Sequence, residues 1–160
     1  MYNGNNYGGR DNRGGYPNQN RQANQRLPYQ QAPVEIKPET VPEDYVDRAE
    51  AVIKEIKDLR PTITTSKIRN LLSLISDIYN VEKLNTGANI SAASAAKIGM
   101  MRVRTAYEAG RDNATKTFVE KARLLQYLKG IGTDREKLIR FAHYMEALVA
   151  YHKFYGGKEN

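Results

Sequence analysis

Along residues 43–155 apolar side chains return every three or four positions, and the two-residue alternation of a half-buried strand is nearly absent. Each helix of such a chain buries one stripe against its neighbours, so the expected fold is all-α: a compact five-helix bundle. The first helix is expected over about 43–59, with Val46, Ala49, Ile53 and Ile56 on one face and Pro61 as its stop. The second spans about 65–84, capped by Thr64 or Thr65. Its stripe of Ile68, Leu71, Leu72, Ile75 and Tyr79 is widened by Leu74, Ile78 and Val81, which suits a central position. Residues 85–91 (NTGANIS) interrupt the pattern. A third helix follows over about 91–111 behind Ser91. A fourth runs over about 113–129 through Phe118, Ala122, Leu125 and Leu128, until Gly130 and Gly132 end it. Thr133, with Glu136 three residues on, reads as a capping box for the fifth helix, which runs to about Tyr155 before Gly156 and Gly157.

Residues 1–33 are different in kind. They hold Gly, Asn, Gln, Arg and Tyr with almost no aliphatic side chains. So little apolar surface cannot offset the entropy of ordering, and this N-terminal tail is expected to be disordered. Arg10, Arg13, Arg21 and Arg26 against Asp11 give it +3 of the chain's +7, leaving +4 for the rest. Arginine and tyrosine interleaved with glycine suit loose contact with single-stranded RNA, by charge and by stacking. A solubilising extension accounts for the same composition. Residues 34–42, with Pro38 and Pro42, read as an extended linker. The expected organisation is therefore a tail and linker over 1–42 and a helical RNA-binding domain over 43–160.

Several function classes find no support. With no cysteine there is no disulfide or thiolate site, and with only His143 and His152 a histidine metal site is not expected. No segment reaches the roughly 20 apolar residues of a membrane span, and the polar N-terminus lacks the apolar core of a secretory signal. An intracellular protein without cofactor or membrane association is the expectation. No serine sits in a nucleophile context, and the carboxylates fall among Lys and Arg on helix surfaces, where solvated pairs explain them. No enzyme is expected. His152 lies on the apolar stripe with Met145, Leu148 and Val149 and reads as a hydrogen-bonded core histidine. Residues 110–117 (GRDNATKT) look like a P-loop, but Thr115 stands where the second glycine belongs and no strand precedes it. Residues 124–141 look like a helix-hairpin-helix phosphate clamp. Asp134 and Glu136, however, stand where the phosphate would bind, and they complement the helix dipole instead.

What remains is basic surface. Lys97, Arg104 and Arg111 recur every seven residues, on one face of the third helix and about 10.5 Å apart along its axis. Glu108 lies between two of them, and Arg102 points nearly opposite to Arg104. On the fifth helix Arg140, Tyr144, Ala147, Tyr151 and Tyr155 form a stripe beside Lys153. Its rings are suited either to stacking on bases or to packing on a neighbouring helix or protomer. Lys67 and Arg69 sit at the start of the second helix, where cations add to a positive dipole and an anion would be welcome. Such patches bind phosphate by counterion release, without reading sequence.

Three blocks carry a resemblance: ITTSKIRNLLSLISDIYN (63–80), MRVRTAYEAGR (101–111) and LIRFAHYMEALVAYHKFYGGKE (138–159). They resemble, in family order, the small subunit of the type III-A CRISPR–Cas effector, the Csm complex. The likeness spans about residues 43–159 and leaves out the tail. It implies a five-helix bundle without enzymatic activity in the prokaryotic cytoplasm. It also implies several copies stacked along the complex, opposite the crRNA-carrying backbone subunits and beside the large polymerase-domain subunit. There they would line the groove for the crRNA–target RNA duplex. On the matching positions it assigns RNA-backbone contact to Lys67, Arg69, Arg102, Arg104, Arg111, Arg140 and Lys153. Two other readings stay open: a free-standing RNA-binding or chaperone protein using the tail, and a structural adaptor whose basic faces meet acidic protein surfaces.

Overall fold

The structure, a computed structural model, describes residues 35–160. The tail expected to be disordered lies outside the described residues. Six helices follow in order: α1 (Tyr45–Ile56), α2 (Thr65–Glu82), α3 (Ala92–Arg111), α4 (Asn113–Lys121), α5 (Leu124–Ile131) and α6 (Arg135–Phe154). No strand occurs among the described residues, only an isolated bridge between Asn89 and Asp134. The all-helical expectation holds; the count of five does not.

The extra helix comes from a break in the expected fourth one. Phe118, Ala122, Leu125 and Leu128 keep an unbroken period, but Arg123 adopts a left-handed conformation (φ 54°) that ends α4 and starts α5. A left-handed non-glycine residue costs about 1–2 kcal/mol, so tertiary contacts must offset it. Three do so. Arg123 pairs with Glu39, its Nε donating to Oε2 at 2.8 Å. The Ala122 carbonyl accepts the buried Tyr144 hydroxyl at 3.2 Å. The Arg123 carbonyl accepts from Tyr127 N–H at 3.0 Å, beginning the next helix.

Other expectations are corrected in detail. Asp134, not Thr133, caps α6, its carboxylate accepting from Lys137 N–H at 3.0 Å. Val46 is 44% exposed, and Val52 takes its place in the core. Thr64 and Ser91 cap α2 and α3, each hydroxyl accepting the amide three residues on. The hub is α6, which packs against α1, α2 and α5, while α3 lies against α2, α4 and α5. Leu138, Phe141, Tyr144, Met145 and Leu148 of α6 are fully buried. Each contributes roughly 1.5–3 kcal/mol on leaving water. Residues 35–42 run without helix against this core. Glu39 N–H donates to the Gln126 carbonyl at 3.0 Å, Lys129 donates to the Ile36 carbonyl at 2.8 Å, and Val41 is buried.

Two buried polar groups fix the loops. Glu82 at the end of α2 has no exposed surface. Its carboxylate accepts from Ser91 N–H (3.0 Å), the Ser91 hydroxyl (2.9 Å) and Asn85 (3.1 Å). It also pairs with Arg135 at 3.2 Å. Hydroxyl and amide donors, Ser94 foremost and then Asn85 and Ser91, outweigh burial and hold this carboxyl down at about 2. Arg135 in turn donates to the carbonyls of Gly87 and Asn89. The loop between α2 and α3 is thereby pinned to the start of α6. His152 is buried as expected, its Nδ1 3.1 Å from the Thr65 hydroxyl and its Nε2 3.1 Å from the Ile63 carbonyl. Burial pushes its pKa down.

Candidate nucleic-acid interface

The orientation of α3 follows from its apolar spacing. Ser94, Ile98, Met101, Thr105 and Ala109 are buried against α2, α4 and α5. The outward face is then left with Ala92, Ala96, Gly99, Val103, Ala106 and Gly110, all exposed and uncharged. Cations border this face. Lys97, Arg104 and Arg111 follow one edge, and Arg102, two residues from Arg104 and so about 200° around the helix, stands beyond the other. Between α2 and α3 lies an open groove of about 640 Å³, floored by Leu74, Ile78 and Met101 and edged by Asp77, Lys97 and Arg104. Met100, Val103 and Tyr107 stand beside it, 67%, 62% and 60% exposed. A smaller hollow of about 80 Å³ is shared by Lys67, Arg104 and Glu108.

The seven arginines and lysines singled out in the sequence separate by partner. Among the described residues, Arg102 and Arg104 have no carboxylate partner within ion-pair distance, and neither has Lys97. Lys67 pairs at 2.8 Å with Asp112, which also caps α4 by accepting from Thr115 N–H at 2.8 Å. Lys67 foremost, with Thr115, holds the Asp112 carboxyl at about 2. Arg111 lies 3.8 Å from Glu108 and over the Tyr107 ring at 5.4 Å. Arg140 pairs with Glu136 at 3.0 Å and reaches the Val41 carbonyl at 3.4 Å, helping to seat the segment before α1. Arg69 and Lys153, from α2 and α6, share the carboxylate of Glu159. The structure thus brings Lys67 to Arg104, and Arg69 to Lys153, but gathers no single cluster of all seven.

The aromatic stripe of α6 is turned to packing. Tyr144 is buried edge-on to Tyr127, their ring centres 5.5 Å apart. Tyr155 donates its hydroxyl to Glu50 at 2.5 Å, and Tyr151 stacks on it. Base stacking is therefore closed to Tyr144. The P-loop look-alike dissolves into the end of α3, the Asp112 cap and the start of α4. In the helix-hairpin-helix look-alike, Asp134 occupies the amides at the start of α6. No cluster of three or more metal-ligating side chains occurs among the described residues, and no helix among them is long and apolar enough to cross a membrane. Sequence reasoning did not single out the exposed Met100 and Val103. Their only signal was apolar character off the core stripe of α3.

Comparison with known proteins gives the family. A family model described as Csm2 Type III-A matches residues 39–158. The chain is 47% identical over 120 residues to the CRISPR system Cms protein Csm2 of Streptococcus thermophilus, covering 73% of this chain and 95% of that relative. It is 38% identical over 121 residues to the protein of the same name from Mycobacterium tuberculosis (strain CDC 1551 / Oshkosh), covering 74% and 97%. With the Enterococcus italicus protein it shares 37% identity over 95 residues, 58% of this chain and 68% of that one. The chain belongs to the Csm2 family, the small subunits of type III-A CRISPR–Cas systems.

Proposed function

We propose that this protein stacks in several copies inside a type III-A effector and lines the groove that holds the crRNA–target RNA duplex. It does so without catalysing a reaction, as part of antiviral defence in the prokaryotic cytoplasm. The observation that carries this reading is the α3 surface: Arg102, Arg104 and Lys97, without carboxylate partners among the described residues, flank an exposed uncharged face made mostly of Ala and Gly. Small side chains let a sugar–phosphate backbone approach closely, and the flanking cations meet its phosphates. In a guide-bearing complex base pairing reads the sequence, so such a subunit needs only backbone, 2′-OH and shape contacts. Arg102, Arg104 and Arg111 carry most of the contact, Arg111 being only loosely paired with Glu108 at 3.8 Å, and Lys67, Arg69, Arg140 and Lys153 contribute less, because each has a closer carboxylate partner. Other faces meet further copies, the backbone subunits and the large polymerase-domain subunit.

Affinity purification from the native host, with mass spectrometry and small-RNA sequencing, tests this. Recovery of the large and backbone subunits with repeat-tagged guide RNAs is the expected result. Recovery of diverse cellular RNAs and no guide-bearing complex would overturn it. The rival, a free-standing RNA binder acting through its tail, would lose its affinity on deletion of residues 1–33; the effector subunit keeps it.

A further inference from the structure

Arg69 and Lys153 are brought together by the fold and share one counter-charge. Arg69 Nη1 lies 3.1 Å from Glu159 Oε2, and Lys153 Nζ lies 2.5 Å from Glu159 Oε1. Their side chains remain about half exposed. The backbone, not the carboxylate, delivers Glu159 to this position. After α6, Gly156 takes a left-handed turn (φ 83°), and Gly157 N–H donates to the His152 carbonyl at 2.8 Å. A β-carbon on Gly157 would overlap the His152 ring, so the close approach requires glycine there. Residues 158–159 then lie across the start of α2. Thr65 N–H donates to the Lys158 carbonyl at 2.7 Å and Ser66 N–H to the Glu159 carbonyl at 3.2 Å. The Ser66 hydroxyl donates to the same Glu159 oxygen at 2.5 Å. The strap is seated whether or not its glutamate is charged.

A carboxylate bridging two cations has the geometry of a phosphodiester whose two free oxygens meet the same pair. The other paired cations differ. Lys67 is held by an aspartate that also caps a helix, and Arg140 is bonded to the backbone of the segment before α1. The Glu159 side chain has no partner besides Arg69 and Lys153 among the described residues. Exposed ion pairs of this sort contribute only about 0–1 kcal/mol each, so a polyanion can compete for the cations. We propose that Arg69 and Lys153 form a second phosphate site for an RNA backbone, apart from α3, and that Glu159 occupies it until RNA displaces the carboxylate. This rests on the reading that the protein binds RNA.

The test is the affinity of the full chain for an RNA duplex of arbitrary sequence, by fluorescence anisotropy across a salt series. The proteins compared are wild type, E159Q, E159Q/R69Q/K153Q and R102Q/R104Q, with thermal melts to show that each is folded. E159Q should bind several-fold more tightly at low salt, its salt slope steeper by about 0.7–0.9 for the added phosphate contact. The triple variant should lose that gain. If E159Q matches wild type while R102Q/R104Q binds more weakly, the Glu159 site is wrong and the RNA reading stands. A gain that survives in the triple variant also overturns the site, because Arg69 and Lys153 would then not be the groups that bind the phosphate. If none of the four binds RNA at low salt, the RNA reading fails and takes this site with it.

Discussion

Replacing Arg135 by methionine should cost the protein about 3 kcal/mol, and the reason lies in what the side chain leaves behind. Arg135 is the counter-charge of Glu82, which has no exposed surface. Breaking a buried pair by removing one partner costs about 3–5 kcal/mol, because the other charge stays desolvated. The lower end applies here, since Glu82 keeps the Ser91 amide and hydroxyl and the Asn85 amide. For a domain of this size that predicts a Tm lower by about 10 °C. With stabilities commonly about 5–15 kcal/mol, the variant should still fold. Acid sharpens the test. The folded Glu82 carboxyl lies at about 2, below its ordinary 4.5. As pH falls, the unfolded chain therefore takes up a proton first. The stability from this group is whole above about pH 4.5 and is lost as pH drops towards about 2, a span of about 3 kcal/mol. The stability gap between wild type and E82Q, from urea unfolding, should therefore shrink from about pH 5 to about pH 3. A gap that stays constant across that window, or an R135M protein melting within about 2 °C of wild type, would refute the argument. The consequence reaches the proposed interface, because Glu82 holds Ser91, and Ser91 caps α3.

Two further outcomes follow from the packing. Thr105 on α3 buries a hydroxyl without a partner among the described residues, so T105V should gain about 1 kcal/mol in urea unfolding; a loss would mean that the hydroxyl is satisfied in solution. Gly130 lies so close to the Glu39 carbonyl that a β-carbon would overlap it. G130A should therefore cost about 1–3 kcal/mol and speed hydrogen exchange at the Glu39 amide, which bonds to Gln126. Unchanged exchange there would show that residues 35–42 are not held against α5.

What could be read from the sequence was what local pattern decides. The all-helical class, the extents of α2 and α3 and the Ser91 cap follow from period and capping chemistry within a few residues, while the structure chooses Thr64 over Thr65 as the cap of α2. So does the core position of His152. What escaped was decided by partners far along the chain. Nothing near Arg123 marks the break in the helix; Glu39 and Tyr144 hold it, 84 residues from Arg123 and 22 from Ala122. Thr133 and Asp134 are both good caps, and the choice depends on the bridge of Asp134 to Asn89. The basic residues were visible by spacing, but whether each is free or paired was not. Lys67 meets Asp112, and Arg69 meets Glu159, only once the bundle is assembled. The tyrosines of α6 had two readings in the sequence, and burial of Tyr144 chose packing.

The proposed role of α3 is to meet an RNA backbone through Arg102 and Arg104 without reading its sequence. The direct measurement is the slope of log Kd against log salt for wild type and R102Q/R104Q, on two RNA duplexes of unrelated sequence. Weaker binding is expected for R102Q/R104Q, with a slope shallower by about 0.7–0.9 for each lost phosphate contact, equally on both duplexes. An unchanged slope, or a loss confined to one sequence, would contradict it.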